Sequence, residues 1–182
     1  SAGVEAGDTV AVLGLGPVGL CAVQVARARG AAHVVAVDSV PERLELARAF
    51  GATPVHLTEE DPRAAVKAVT EGRGADLVVD AVGHPDVFDS ACRLARRAGR
   101  ISATGVYAER IEVHMGLVWV KALEIHSGHA NVIAHVDRVL ALMDAGVLDP
   151  APLVSRHMPL DDAADAYAAY DRREALKIVL TP

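Results

Sequence analysis

The sequence predicts an α/β fold with a doubly wound parallel sheet, helices on both of its faces and a short C-terminal strand–helix–strand tail. Two observations carry this prediction. Short apolar segments rich in β-branched residues alternate with helical patterns, and a glycine-rich turn joins the first segment to the first helix. Such alternation is typical of parallel strands connected by helices. Because these crossovers are right-handed, we expect the strand order 3-2-1-4-5-6 of the Rossmann fold.

The predicted strands are short, continuous apolar segments, as expected for strands that are buried on both faces. They cover Thr9–Leu13, His33–Val37, Pro54–Leu57, Asp76–Ala81 and Arg100–Thr104, with a weaker pattern at Leu123–Ser127. The last of these comes at the end of the predicted sheet order. We therefore expect it to form an exposed edge that can pair with a second chain.

Proline and glycine residues mark the ends of the predicted helices. Helices are expected over Pro17–Arg29, Pro41–Gly51, Pro85–Gly99 and Asn131–Gly146. Another helix is expected to begin at Pro62, with Asp61 as its cap. Two prolines then interrupt the pattern. A strand, a helix and a strand follow at Val154–Met158, Asp161–Tyr170 and Leu176–Thr181, and we expect them outside the main sheet.

Composition and charge narrow the classes of function. The 182 residues are 52% hydrophobic, enough for one domain and a little more. The net charge of −6 argues against nucleic acid or an anionic membrane as the main partner. Cys21 and Cys92 are too few for a disulfide framework. No apolar segment has transmembrane length and no signal-peptide pattern is present, so a cytoplasmic location is expected.

Four arginines cluster near the end of the fourth predicted helix. They are Arg93, Arg96, Arg97 and Arg100. Cations near a helix C-terminus oppose the helix dipole favourably. We interpret the cluster as a solvated surface rather than as a phosphate site.

The turn from Gly14 to Gly19, with the sequence Gly-Leu-Gly-Pro-Val-Gly, gives the clearest indication of function. It lies between a predicted strand and a predicted helix, and the next strand ends at Asp38, 24 positions after Gly14. This combination is the dinucleotide-binding fingerprint. Gly14 permits the tight turn, and Gly16 lets a pyrophosphate approach the backbone. Gly19 lets the helix lie close to the sheet.

The start of the first helix supplies the predicted phosphate donors. Pro17 has no N–H but suits the first helical position. Val18 and Gly19 are therefore the expected donors, aided by the helix dipole. At the end of the second strand, Asp38 is expected to accept hydrogen bonds from the adenosine ribose hydroxyls and to repel a 2′-phosphate. NAD(H) should thus be preferred to NADP(H), although Arg43 nearby could accommodate the extra phosphate.

Several longer segments match one enzyme family. They are residues 7–19, Asp38 with Arg43, residues 50–53, residues 74–83, residues 99–101 with Gly105-Val106, residues 161–167 and residues 177–180. With these segments the chain resembles the medium-chain dehydrogenase/reductase superfamily, and most closely its zinc-dependent alcohol, polyol and formaldehyde dehydrogenases. The resemblance covers essentially the whole chain.

The resemblance implies a domain organisation. Residues 1–149 would form the NAD-binding domain, and residues 150–182 would form a tail that packs on an N-terminal catalytic domain. In the family that other domain carries the zinc ligands, and none of its zinc motifs occurs here. We therefore expect no catalytic residue and no metal ligand in this chain. Zinc would be a cofactor of the full-length protein only.

The resemblance also implies roles for individual residues. Ala81 and Val82 would line the adenine site beside His84. The segment Thr104–Val106 would receive the nicotinamide carboxamide, and Lys177 would lie near the pyrophosphate unless it is simply a solvated lysine. The complete set of predicted cofactor-binding residues is Gly14, Gly16, Pro17, Val18, Gly19, Asp38, Ser39, Arg43, Ala81, Val82, His84, Thr104, Gly105, Val106 and Lys177.

The resulting hypothesis is the NAD(H)-binding part of an enzyme that moves hydride between an alcohol or aldehyde hydrate and nicotinamide. Zinc would polarise the oxygen in the full-length protein, and this chain alone would be inactive. A homodimer through Leu123–Ser127 is expected, as in relatives.

Three other classes of protein share parts of this pattern. A zinc-free quinone or enoyl reductase usually departs from the three-glycine pattern. A methyltransferase usually places an acid directly before its glycines, where this chain has Val12-Leu13. A non-catalytic nucleotide-sensing module stays open.

Overall fold

The structure, a computed structural model, describes residues 2–182. Its main sheet contains six parallel strands in the order β3-β2-β1-β4-β5-β6, which confirms the predicted order. The strands are β1 (Thr9–Leu13), β2 (His33–Asp38), β3 (Thr53–His56), β4 (Ala75–Asp80), β5 (Ala95–Ala103) and β6 (Glu124–Ser127). The strands β1 and β4 are buried along their whole length, as their apolar sequences predicted.

Seven α-helices occur among the described residues. They are α1 (Pro17–Ala28), α2 (Pro41–Ala49), α3 (Pro62–Ala68), α4 (Pro85–Leu94), α5 (Met115–Lys121), α6 (Val136–Asp144) and α7 (Ala163–Asp171). A proline occupies the first position of each of the first four helices, where its missing N–H costs nothing. The proline positions therefore located these helix starts correctly.

Two apolar layers cover the two faces of the sheet. Alternate residues of a strand point to opposite faces, so Val10 and Val12 join one layer while Ala11 and Leu13 join the other. The first layer includes residues of α1 and α2, and the second includes residues of α3 and α4. Helices therefore cover both faces, as predicted for a doubly wound sheet.

The fourth helix is shorter than predicted, because it ends at Leu94 and not at Gly99. Ala95 is already extended and buried, and it pairs with Ala75 of the neighbouring strand. The next four residues leave the ladder, with Ala98 at a φ of 51°, and regular pairing resumes at Arg100. The prediction failed because the helical pattern continues past the point where the chain enters the sheet.

Two further differences concern residues after β5. The helix α5 was not predicted, because its seven residues are too few for a clear apolar period. The helix α6 begins at Val136 rather than at Asn131, after a turn that is stabilised by the bond from the Ala134 N–H to the Asn131 side chain.

The strands of the tail lie outside the main sheet, as predicted, and form a small sheet of their own. Its strands β7 (Arg156–Pro159) and β8 (Ile178–Thr181) pair in parallel, and α7 connects them. The tail is nevertheless joined to the main domain, since Leu153 and Leu176 belong to the apolar layer beside α1. Just before the tail, the side chain of Gln24 accepts from the Asp149 N–H and donates to the Asp149 carbonyl, both at 2.7 Å.

Not one helix within residues 2–182 combines the length and the apolar composition needed to cross a bilayer.

Candidate functional site

A cavity of about 710 Å³ opens where β1, β2 and β4 end. Ligands of doubly wound folds bind at this edge, where the strand order reverses. Of the predicted site residues, those that line the cavity are Gly14, Gly16, Asp38, Ser39, Arg43, Ala81 and Val82. The structure therefore brings the glycine turn, the end of the second strand and the predicted adenine wall together.

The glycines of the turn differ in what they contact. Gly14 has a φ of 85°, and a Cβ there would overlap the side chain of Val82. A Cβ at Gly19 would overlap the carbonyl oxygen of Gly14. At Gly16 an added Cβ would meet nothing within 4 Å. The fold itself therefore requires Gly14 and Gly19, whereas Gly16 leaves open space in front of the backbone.

The turn also presents unused hydrogen-bond donors. Helix α1 begins at Pro17, and the first N–H groups of a helix have no partner within it. Within the described residues, no acceptor bonds the backbone N–H of Gly16, Val18 or Gly19. The positive end of the α1 dipole adds to this local potential. The turn can therefore hold an anion beside Gly16, in the space that a side chain would fill.

Asp38 holds the glycine turn to the end of β2. Its side chain is buried, and Oδ2 accepts the Leu15 N–H at 2.6 Å. The other oxygen, Oδ1, accepts the N–H groups of Ser39 and Val40 at 2.7 and 2.9 Å. The Arg43 guanidinium lies 3.7 Å from Oδ2. Much of the acceptor capacity of this carboxylate is thus used within the protein, a role that the sequence pattern did not reveal.

Asp80, the last residue of β4, organises the segment that follows it. Its side chain is fully buried. Oδ1 accepts the N–H groups of Val82 and Gly83 at 2.9 and 3.0 Å, and Oδ2 accepts the hydroxyl of Tyr107. Burial, together with the hydrogen bond and the charge of Asp80, raises the pKa of Tyr107 and keeps its hydroxyl protonated. Sequence reasoning missed both residues.

The predicted nicotinamide segment is fixed to the same aspartate. The backbone carbonyl of Asp80 accepts the N–H groups of Thr104 and Gly105 at 2.9 and 2.8 Å. Val106 is 88% exposed, and its N–H bonds no acceptor in the described part of the chain. Of the three predicted residues, only Val106 therefore retains a backbone donor for a carboxamide.

Eight of the fifteen predicted residues are not part of the cavity lining, namely Pro17, Val18, Gly19, His84, Thr104, Gly105, Val106 and Lys177. The Nδ1 atom of His84 accepts the Asp86 N–H at 3.2 Å, so this half-exposed side chain caps α4. Lys177 has an exposed side chain, and its backbone bonds Ser155 of the tail. Conversely, Arg173 of the tail lines the cavity although no sequence pattern indicated it.

The arginine cluster divides into different roles. Arg96 and Arg100 form ion pairs with Asp76 and Asp8 at the opposite end of the sheet, at 2.5 and 2.6 Å. Arg93 pairs with Asp89 on the surface of α4 and also lines the cavity. The interpretation as a uniformly solvated surface was therefore wrong for Arg96 and Arg100, which are partly buried by packing at the strand ends.

The described residues do not bring together a set of side chains that suits zinc. Among residues 2–182, no three His, Cys, Asp or Glu side chains lie close enough together to hold a metal ion. Structural zinc sites use four such ligands, and catalytic sites use three.

The parallel sheet, the glycine turn and the acidic end of β2 together define a dinucleotide-binding Rossmann domain. Comparison with known proteins gives the family. A family model described as zinc-binding dehydrogenase matches residues 17–144. L-threonine 3-dehydrogenase of Bacillus licheniformis is 33% identical over 99% of the chain and 53% of its own length.

Solved structures agree with this match. The alcohol dehydrogenase TADH from Thermus sp. ATN1 superposes with a TM-score of 0.94 at 41% identity, over 98% of this chain and 52% of its own. A short chain alcohol dehydrogenase of Escherichia coli CFT073, in complex with the cofactor NADH, has a TM-score of 0.88 at 28% identity, over 98% and 53%.

The chain therefore belongs to the zinc-type alcohol dehydrogenases of the medium-chain dehydrogenase/reductase superfamily, and it carries their NAD-binding Rossmann domain. It spans about half the length of the curated relatives it matches.

Proposed function

We propose that this chain is the NAD(H)-binding part of an oxidoreductase that transfers hydride between an alcohol, or an aldehyde hydrate, and nicotinamide. The observation that carries the proposal is the open space in front of Gly16, flanked by unused N–H groups at the start of α1. When bound, the dinucleotide accepts or supplies the hydride. The residues of this chain orient it, and zinc chemistry takes place outside them.

Each half of the cofactor has a proposed set of contacts. The N–H groups of Gly16, Val18 and Gly19 hold the pyrophosphate. Asp38, Ser39 and Arg43 meet the adenosine ribose, and Ala81 and Val82 form the adenine wall. Val106 receives the nicotinamide carboxamide. These roles are supported by the cavity lining and the free donors described above.

We further propose that a catalytic domain covers α6 and the tail, residues 150–182, and that residues 1–149 form the nucleotide domain. None of the residues of α6 is buried, and its apolar side chains Val136, Val139, Leu140 and Met143 are 37–50% exposed. Such a face requires a partner. Without that domain the chain is proposed to bind cofactor but to oxidise no alcohol.

The proposal includes a homodimer that forms through β6, and a cytoplasmic location. In the described residues β6 pairs only with β5, so one edge of the strand is free. Ile125 on this strand is 40% exposed, and the neighbouring helix α5 carries Trp119 at 81% exposure. Free strand edges with apolar surroundings favour pairing.

The substitution Gly16→Ala tests the proposed function. Its backbone φ of −65° suits alanine, and the added methyl meets nothing in the free protein, so the melting temperature should not change. The methyl should obstruct the pyrophosphate and weaken NADH binding about tenfold or more, which is about 1.4 kcal/mol. Calorimetric titration of NADH and thermal unfolding measure the two effects.

Gly3→Ala is the matched control, because a Cβ there also meets nothing within 4 Å and Gly3 lies away from the cavity lining. It should change neither quantity. A wild-type chain that binds no NADH, or a Gly16→Ala variant that binds it normally, would contradict the proposal.

A further inference from the structure

The chain segments that follow β4 and β5 pack tightly against each other. The contacts between them are separate from the contacts proposed above for the cofactor. An added Cβ at Gly83 would overlap the backbone of Val106. A Cβ at Gly105 would overlap the backbone of Gly83 and come close to Val82. The two backbones are therefore in van der Waals contact.

Tyr107, the residue after Val106, contacts both Asp80 and Phe88. Its hydroxyl donates to Oδ2 of the buried Asp80, whose other oxygen binds the N–H groups of Val82 and Gly83. Its ring meets the buried ring of Phe88 edge to face, with centroids 6.2 Å apart and planes at 81°. The position of Tyr107 is thus set by one ring contact and one hydrogen bond to a charged group.

We propose that Tyr107 is a positioning residue that, through Asp80, holds the Thr104–Val106 segment in the arrangement that binds the nicotinamide half of the cofactor. This inference rests on the proposed function. The segment needs such support because Val106 is almost fully exposed and is followed by a loop. Its other anchors are the N–H groups of Thr104 and Gly105, both on the carbonyl of Asp80.

The adenine side does not depend on the hydroxyl. Val82 and Gly83 bind Oδ1 of Asp80, whereas Tyr107 binds Oδ2. Loss of the hydroxyl therefore leaves the adenine wall in place and lowers only the fraction of molecules whose Thr104–Val106 segment is correctly placed. Apparent affinity falls in proportion to that fraction.

The test compares two ligands on the full chain, with NADH as the whole cofactor and ADP-ribose as the same molecule without nicotinamide. Tyr107→Phe keeps the ring and removes only the hydroxyl. We expect NADH binding to weaken about tenfold, within the range for a lost hydrogen bond to a charged group, and ADP-ribose binding to change by less than about twofold. Tyr167→Phe, at a side chain that is 75% exposed, is the control and should change neither.

The possible outcomes separate the two proposals. Equal weakening of both ligands would mean that Tyr107 only supports the fold, and it would overturn this inference. Unchanged binding of both ligands by Tyr107→Phe would overturn it as well. A wild-type chain that binds neither ligand would overturn the proposed function itself. Thermal unfolding of the variant confirms that the comparison concerns folded protein.

Discussion

The two ends of the main sheet each bury a pair of aspartates but hold them with different partners. At the amino end, Asp76 and Asp8 lie against the guanidinium groups of Arg96 and Arg100, at 2.5 and 2.6 Å. Asp76 also accepts the Thr9 N–H at 2.8 Å. The contacts at this end are therefore ion pairs, and they join the ends of strands to one another.

At the carboxyl end, Asp38 and Asp80 are bonded mainly by neutral donors. These are backbone N–H groups of the adjoining turns and the hydroxyl of Tyr107. Because the donors belong to the chain segments around the cavity, each carboxylate stabilises the conformation of the segment that it binds. Buried aspartates therefore stabilise strand ends at one end of the sheet and shape the candidate binding site at the other.

The largest expected effect concerns Asp80. Asp80→Ala removes the acceptor of two N–H groups and one hydroxyl in a buried place, and each unpaired group costs about 1–3 kcal/mol. We expect a loss of about 3–5 kcal/mol in the free energy of unfolding, measured with urea. Asp80→Asn keeps one oxygen and should lose less. A loss below about 1 kcal/mol for Asp80→Ala would show that the carboxylate does not organise these loops.

A smaller effect is expected at the amino end. Burial alone would raise the pKa of Asp76, but the Thr9 N–H and the Arg96 guanidinium outweigh it and lower the pKa. Arg96→Met should therefore cost about 1–3 kcal/mol of stability at neutral pH and leave NADH affinity unchanged. A carboxyl group whose pKa is lower in the folded chain than in the unfolded chain stabilises the fold at pH values above its unfolded pKa. The difference in the free energy of unfolding between Arg96→Met and wild type should therefore shrink below about pH 4.

Urea unfolding at several pH values checks this expectation. Arg48→Met removes an exposed ion pair and should have little effect at any pH. The contrast between the two ends would fail if Arg96→Met reduced NADH binding as strongly as it reduced stability.

The smallest expected effect concerns cofactor choice. Asp38 also holds the Leu15 N–H, so Asp38→Gly would disturb the glycine turn as well as the ribose contact. Asp38→Asn keeps one oxygen and removes the charge that repels a 2′-phosphate. We expect wild type to prefer NADH to NADPH and the variant to narrow that preference about tenfold, or about 1.4 kcal/mol. Calorimetric titration of both cofactors decides this, and equal affinities in wild type would reject the role of Asp38.

The sequence predicted the parts of the structure that depend on local pattern. Buried apolar segments located the strands, prolines located four helix starts, and the glycine turn located the cavity. The parts of the structure that the sequence did not predict depend on contacts between residues that are far apart in the chain. Tyr107 is 27 positions from Asp80, and Arg96 is 20 positions from Asp76, and nothing in either neighbourhood indicates the partner.

The residues that received roles by resemblance lie in different surroundings. Ala81 and Val82 line the cavity, whereas His84 caps a helix and Lys177 lies with the tail. The side chains of His84 and Lys177 could each point in several directions, and the neighbouring sequence does not determine which direction is taken.

Two hydrogen bonds between Gln24 and Asp149 tie α1 to the residue that precedes the tail. The first turn of this helix carries the free donors beside Gly16, and about two turns further along, Gln24 forms both hydrogen bonds to Asp149, the residue immediately before the tail. A shift of residue 149 that preserved both hydrogen bonds would also displace α1. Helix α1 therefore connects the glycine turn of the nucleotide cavity directly to the start of the tail.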